Sequence, residues 1–219
     1  RKLAVKGGIP VTPGTKGCVS KDFLTEAEKI GFPIMIKAAA GGGGKGIRIV
    51  REKEKLSHEV QMASSEAAAA FGNGEVYFEK YLERPRHIEV QFARDSKGNT
   101  IAFPERDCSI QRGHQKLLEE TPSPAVNKEL REKLEEAAIR LADTAAYVGV
   151  GTVEFLLNKE GKFYFMEVNT RLQVEHPVTE AITMADLVKE QVLIAAGEKL
   201  SLSRSRASIF HGHAIEHRI

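Results

Sequence analysis

The hydrophobic positions of this chain change period several times, and each change marks an element. Phe23, Leu24, Ala27 and Ile30 recur at helical spacing, with Ser20 placed to cap and Gly31 to close a helix over about 21–30. Residues 33–37 then read as a short buried strand and residues 47–50 as a second, joined by Gly41-Gly42-Gly43-Gly44-Lys45-Gly46. A stretch rich in Ala and Glu predicts a helix over 52–71 that ends near Gly72, followed by a strand over 76–82. Residues 86–94 and 100–105 predict two strands linked by Ser96-Lys97-Gly98-Asn99, a hairpin signal. Asn127 is placed to cap a long helix reaching about Tyr147, with Leu130, Leu134, Ala137, Leu141 and Ala145 as its apolar stripe. Two more β-type runs, 151–157 and 162–169, flank a tight turn at Glu160-Gly161. Residues 1–5 read as the tail of a helix, and 208–219 as a strand that stops midway. Hairpins alternate with helices without regular strand-helix-strand units, so the expected class is α+β.

Composition narrows the function. At roughly 150 residues per domain, 219 residues make one compact unit or two small lobes. Hydrophobic and charged fractions of 42% and 28% exclude a disordered, collagen-like or coiled-coil chain. Thirty-two basic against thirty acidic residues leave +2, with no block of one sign, so nothing points to a nucleic acid or a membrane surface, and a small-molecule partner is expected. Cys18 and Cys108, without a C-x-x-C pair, suggest neither a disulfide framework nor a zinc site and fit a reducing compartment. No apolar run approaches the ~18 residues of a membrane span, and the first ten residues lack the apolar stretch of a signal peptide. The expected location is the cytoplasm, with the mitochondrial matrix or a plastid as alternatives.

Candidate chemistry sits in four places. The glycine run satisfies G-x-G-x-x-G, but the β-type Ile47-Arg48-Ile49-Val50 follows it where a dinucleotide-binding loop would open a helix, and no Lys-Ser or Lys-Thr follows Gly46 as in a Walker loop. What remains is a glycine flap between strands, able to lay backbone N–H groups over phosphates, or a plain loop. Lys37 shares a strand face with Met35 just before the flap and is placed to reach a phosphate or to snorkel to water. A turn centred at Glu160-Gly161 pairs residues that sum to 321, setting Leu157 opposite Tyr164, Leu156 opposite Phe165 and Glu154 opposite Glu167. Facing carboxylates call for a cation, and with Asn169 on the same face the oxygen set suits Mg²⁺ or Mn²⁺; two solvated edge glutamates are the alternative. Finally, alternation in 170–177 puts Arg171, Gln173 and Glu175 on one side and Leu172 and Val174 on the other. Arg171 would hold a small oxyanion bidentately while Glu175 takes its proton, unless the two form only a structural pair. His87, sharing a face with Glu89 and Gln91, is a candidate pocket wall, and Lys116, after His114-Gln115, is placed to reach a transferring phosphate; His211-Gly212-His213 reads as structural.

The order of Lys37, the glycine run, Glu79-Lys80-Tyr81-Leu82, Glu105-Arg106-Asp107-Cys108-Ser109, His114-Gln115-Lys116, Glu154 and 167–176 closely resembles the biotin carboxylases of the ATP-grasp superfamily. Arg86-His87-Ile88-Glu89-Val90-Gln91 and Asn169-Thr170-Arg171-Leu172-Gln173-Val174-Glu175-His176-Pro177 are the most specific phrases, and the likeness covers almost the whole chain. The resemblance implies an ATP-grasp fold of two lobes with the nucleotide between them, a lid over 1–81 and a body over 82–219. It assigns ATP contacts to Lys37, Gly41, Gly42, Gly43, Gly44, Ile47, Glu79, Lys80, Leu82, His87, Gln111, His114 and Leu156, and Mg²⁺ or Mn²⁺ to Glu154, Glu167 and Asn169. Bicarbonate would sit against Arg171, Gln173 and Val174, with Glu175 as base and Lys116 on the phosphate.

The implied reaction is ATP-dependent conversion of bicarbonate to carboxyphosphate and carboxylation of biotin on a carrier domain. A carboxyltransferase component and a homodimer accompany that reaction in the family, which serves acetyl-CoA carboxylase and fatty acid biosynthesis among other pathways. Carbamoyl-phosphate synthetase or another ATP-grasp ligase is the nearest alternative, and a noncatalytic nucleotide-binding module the alternative of another class. The family also has an ATP-contacting lysine before Arg1 and an arginine that stabilises the biotin enolate, expected beyond Ile219. Gly113 stands where the family usually has arginine, and His217 where it usually has cysteine.

Overall fold

The computed structural model describes residues 1–19, 22–40, 47–113 and 115–219, so Ser20, Gly41, Gly42, Gly43, Gly44 and His114 lie outside the described residues. The elements in chain order are α1 (Lys2–Lys6), α2 (Phe23–Ile30), β1 (Ile34–Ala38), β2 (Ile47–Val50), α3 (Leu56–Phe71), β3 (Val76–Lys80), β4 (Arg86–Arg94), β5 (Thr100–Ala102), β6 (Arg106–Arg112), β7 (Gln115–Thr121), α4 (Lys128–Thr144), β8 (Gly149–Leu157), β9 (Phe163–Asn169), α5 (His176–Thr183), α6 (Leu187–Ala195), α7 (Arg204–Ala207) and β10 (Ala214–His217). Residues 12–83 form one compact unit, and 1–11 with 84–219 the other. This division differs from the expected 1–81 and 82–219. Ala4 and Ile9 belong to the core of the larger unit, and the Phe165 N–H donates to the Pro10 carbonyl, so the first eleven residues dock there instead of preceding a lid.

The smaller unit is a three-stranded antiparallel sheet in the order β2-β1-β3, backed by α2 and α3. Strict alternation in β1 buries Ile34, Ile36 and Ala38 against Leu56, Ala63 and Ala67 of α3, where small side chains let helix and sheet approach closely. Gly72 closes α3 at φ +69, a left-handed turn that a residue with a Cβ resists. The helix begins at Leu56 after a single 3-10 turn, later than the pattern implied, and β3 stops at Lys80 instead of residue 82. Asp22 occupies the N-cap of α2.

The larger unit is built on a seven-stranded sheet in the order β10-β7-β6-β4-β8-β9, with β5 also paired to β4. Asn127 caps α4 as expected by accepting from the Leu130 N–H, and Leu134, Ala137, Ala138 and Leu141 pack on Ile88, Val90, Phe92, Val153 and Phe155. The stripe ends there: α4 stops at Thr144 and Ala145 is exposed. A second apolar cluster joins Ala93, Ile101, Phe103 and Val150 to Leu187, Ile194 and Ala207. The β8–β9 register departs from the constant sum of 321. Near the turn Leu157 faces Phe163 and Leu156 faces Tyr164, and a bulge beyond Phe155 then brings Glu154 opposite Glu167. One extra residue in β9 thus corrects the pairing just where the carboxylates meet. Residues 170–175 form a loop leading into α5 instead of an alternating strand.

Candidate active site

Both faces of β4 are buried, and they differ in chemistry. Ile88, Val90 and Phe92 point to the α4 core, whereas Glu89 and Gln91 are fully buried on the opposite face. On that face the register sets Arg106 opposite Glu89, Glu89 opposite Glu154, and Glu154 opposite Glu167. Three carboxylates therefore stand side by side across β4, β8 and β9, an arrangement that repels itself unless cations enter it.

The cations are present. Lys116 of β7 places its Nζ 2.5 Å from Glu89 Oε2, 3.0 Å from Glu154 Oε1 and 2.5 Å from Glu175 Oε1. Arg106 is fully buried and donates through Nε to Glu89 Oε1 at 2.6 Å and through Nη1 to Gln91 and Thr179. Arg218, just after β10, sets its Nη2 2.8 Å from both Glu175 Oε2 and Glu119 Oε1. His87 Nε2 lies 3.0 Å from Glu154 Oε2, a close approach without hydrogen-bond geometry, while its Nδ1 meets Gln111 Nε2 at 2.9 Å. Asn169 and Gln173 add amide donors to Glu154 Oε1 at 2.9 and 3.1 Å.

These contacts set the protonation states. Burial alone would raise the Glu154 carboxyl, but His87 and Lys116 outweigh it and hold it at about 2. Burial likewise opposes ionisation of Glu89, yet Arg106 and Lys116 bring it below the usual range. Burial disfavours the Lys116 ammonium, but Glu89, Glu154 and Glu175 keep it well above an ordinary lysine. Cys108, buried beside Glu89 and Glu175, is pushed far up and stays a thiol.

The structure thus gathers Lys116, Glu154, Gln173 and Glu175 into one buried cluster and puts His87, Gln111 and Leu156 beside it, His87 and Leu156 being register partners. Arg171 and Val174 are exposed, so the expected two-sided split of the segment holds only in part: polar Gln173 and Glu175 are inside and apolar Val174 is outside. Glu167 is exposed and Asn169 half-buried. Three residues of the cluster went unassigned in the sequence: Glu89, Arg106 and Arg218. The strand register of β4 signals the first, lying between His87 and Gln91. Arg218 supplies, inside the chain, an arginine beside Glu175 where the resemblance had placed one only beyond Ile219.

The fit to a divalent cation follows from charge. Glu89, Glu119, Glu154 and Glu175 are all buried, against three permanent cations, Arg106, Lys116 and Arg218. Glu154 and Glu167, with Asn169 turned to present its oxygen, form a hard oxygen set that suits Mg²⁺ or Mn²⁺.

In the smaller unit one sheet face carries Met35, Lys37, Ile47, Ile49, Tyr77 and Glu79 as register neighbours. Lys37 Nζ lies 3.3 Å from Glu79 Oε2 and 5.7 Å from the Tyr77 ring centroid. Burial works against the Lys37 charge, but Glu79 and Tyr77 raise it overall. Ile47 and Ile49 are exposed, leaving an apolar surface next to a fixed cation, and Leu82 is half-buried beyond β3. The Lys80 ammonium is committed to the carbonyls of Gly31 and Phe32 at 2.9 and 2.7 Å.

Known proteins resemble this chain in sequence and in fold. Residues 1–203 match the family described as carbamoyl-phosphate synthase L chain, ATP binding domain. The chain is 54% identical to a biotin carboxylase of Nostoc sp. over 98% of its own length and 48% of the relative's, and 50% identical to biotin carboxylase 1 of Bacillus subtilis over 100% and 49%. Among solved structures, biotin carboxylase of Campylobacter jejuni in a β-γ-ATP complex is similar at TM-score 0.91 and 45% identity, over 99% of this chain and 49% of that one. The biotin carboxylase domain dimer of Hydrogenobacter thermophilus 2-oxoglutarate carboxylase, with MgADP, ADP and bicarbonate, gives 0.90 and 45% over 99% and 48%. The chain spans about half the length of the curated relatives it matches. With an α+β fold, a lysine on an open sheet face and a cation-laced carboxylate row, it belongs to the carbamoyl-phosphate synthase L chain ATP-binding domain family, and within that family it is similar to the biotin carboxylases.

Proposed function

We propose that this chain is the ATP-grasp core of a biotin carboxylase, activating bicarbonate with ATP and carboxylating biotin on a carrier protein. The observation that carries the reading is Glu175: buried, gripped by Lys116 on one oxygen and Arg218 on the other, two residues after the buried Gln173. A carboxylate fixed between two cations is held in place, as a general base must be. Glu175 takes the bicarbonate proton, the freed oxygen attacks the γ-phosphorus of ATP, and the bond to ADP breaks to give carboxyphosphate. Carboxyphosphate breaks down to CO₂ and phosphate, and the phosphate takes the biotin ureido N–H proton as that nitrogen bonds to CO₂. Arg171, exposed and bound only to the Leu172 carbonyl among its hydrogen bonds to described residues, is free to hold the bicarbonate oxyanion, beside Gln173 and Val174. Lys116 shifts from its carboxylates toward the phosphoryl oxygens as charge builds there.

Lys37, Glu79, the backbone around Lys80, Leu82 and Ile47 supply nucleotide contacts, as do His87, Gln111 and Leu156. Glu154, Glu167 and Asn169 would hold Mg²⁺ or Mn²⁺, which neutralises phosphate charge when bound. Carrier-linked biotin, a carboxyltransferase component and a homodimer belong to the same reading. No helix among the described residues is long and apolar enough to cross a membrane. Curated relatives include bacterial, chloroplastic and mitochondrial proteins, so the cytoplasm, a plastid and the mitochondrial matrix all suit it. The test is ADP release by the native protein with bicarbonate and free biotin, beside Glu175→Gln. Biotin-stimulated ADP release that the variant loses, with ATP still bound, is expected; release indifferent to bicarbonate and biotin would overturn the reading.

A further inference from the structure

Glu119 of β7 has no part in the chemistry above, yet it is fully buried beside it. The register sets it opposite Glu216 of β10, and the Arg218 N–H donates to the carbonyl of Leu117, so strand pairing brings the Arg218 side chain over Glu119. A single nitrogen of that guanidinium, Nη2, lies 2.8 Å from Glu119 Oε1 and 2.8 Å from Glu175 Oε2. Both Glu119 oxygens and Arg218 Nε are buried without a hydrogen-bond partner among the described residues, so Arg218 holds Glu119 as an ion pair and Glu175 by a hydrogen bond. Burial pushes the Glu119 carboxyl up, Arg218 opposes that, and Glu175, Glu216 and Glu89 add to it.

This geometry is unusual for its parts. A guanidinium facing one carboxylate settles into two parallel hydrogen bonds, because its fork matches the two oxygens. Here Arg218 meets Glu175 through one nitrogen only, and the competing carboxylate on that same nitrogen is Glu119. A buried charge with an unsatisfied oxygen destabilises the sheet, and a leucine of similar size would fill the space without that cost.

We propose that Glu119 is a positioning residue for Arg218, holding the guanidinium to a single contact with Glu175 so that Glu175 keeps its proton-accepting capacity. This rests on the proposed role of Glu175 as base. Without the pull of Glu119, Arg218 closes bidentately on Glu175, which becomes a weaker base and loses freedom to meet bicarbonate.

Two measurements test it. In the native protein, Glu119→Gln should lower kcat for bicarbonate-dependent ATP cleavage about ten-fold, the size expected from one added charge-assisted hydrogen bond to the base, with KM for ATP unchanged. In an Arg218→Lys background, where a fork cannot form, the same substitution should change kcat less than two-fold. An equal loss in both backgrounds, or none in the first, overturns the proposal. The second measurement needs no turnover: guanidinium ¹⁵N signals of Arg218, recorded on this chain, should pass from one bonded nitrogen in the wild type to two in Glu119→Gln, and an unchanged pattern overturns the proposal as well. Wild-type protein that shows no bicarbonate-dependent cleavage while the ¹⁵N pattern changes as expected would refute Glu175 as base and leave the hold of Glu119 on Arg218 standing.

Discussion

Replacing Lys116 by methionine tests whether the carboxylate row depends on that one ammonium. Its Nζ bridges Glu89, Glu154 and Glu175, whose side chains are 0%, 4% and 3% exposed. Removing one partner from a buried ion cluster costs about 3–5 kcal/mol. The low end applies here, because Glu89 keeps Arg106, Glu154 keeps His87 and Glu175 keeps Arg218. Protonation of a carboxylate relieves a penalty of about 3 kcal/mol, so the cluster in the variant takes up a proton above the ordinary glutamate range. A carboxyl whose folded pKa is raised favours folding below its unfolded pKa and loses that contribution as pH rises through the folded one. The deficit of Lys116→Met is therefore largest at pH 7.5 and shrinks as pH falls toward the ordinary glutamate range. Urea unfolding followed by circular dichroism at pH 7.5, 6 and 5, wild type against variant, reads this directly. A deficit that stays constant across that range would mean lost packing instead of uncompensated charge, and one below about 1 kcal/mol at pH 7.5 would place Lys116 among surface ion pairs of little worth.

Two further outcomes follow from the geometry. A Cβ added at Gly151 would lie 2.6 Å from Phe92 Cζ and 3.2 Å from the Asn169 carbonyl, so Gly151→Ala should destabilise the larger unit by about 1–3 kcal/mol, seen as a lower urea midpoint; an unchanged midpoint would show that the β4–β8–β9 layer yields freely. Cys18 is exposed whereas Cys108 is buried with its thiol pushed up, so a disulfide reagent should label one cysteine rapidly and the second only on unfolding; rapid labelling of both would contradict the packing around Glu89.

The fold was largely legible, because most elements obey one rule: apolar residues face a core. The alternation in β1 and the Asn127 cap of α4 both appear where the pattern put them. What escaped notice depends on partners distant in sequence. Residues 1–11 look like a detached helix end until Pro10 meets Phe165, and the bulge that corrects the β8–β9 register leaves no mark on a turn-centred count of pairs. The Glu154–Glu167 pairing was read correctly although the two pairs nearest the turn were off by one, since the bulge restores the assumed sum.

The site was legible where it uses conspicuous residue types and hidden where the interior itself is polar. Alternation in 170–175 sets Gln173 and Glu175 apart from Val174 without saying which side is buried; the polar side turns inward because Arg106, Lys116 and Arg218 make the interior the better solvent for it, leaving Val174 at the surface. The same inversion runs along β4, where Glu89 and Gln91 are as deeply buried as Ile88 and Val90. A buried carboxylate is tolerable only if its counter-charges arrive from other strands, and such pairing is a property of register, which no single segment displays. Two acidic residues predicted to face each other are thus the informative sign: they require cations, and searching the neighbouring strands for those cations leads from Glu154 to Lys116, to Arg106 through Glu89, and to Arg218 through Glu175.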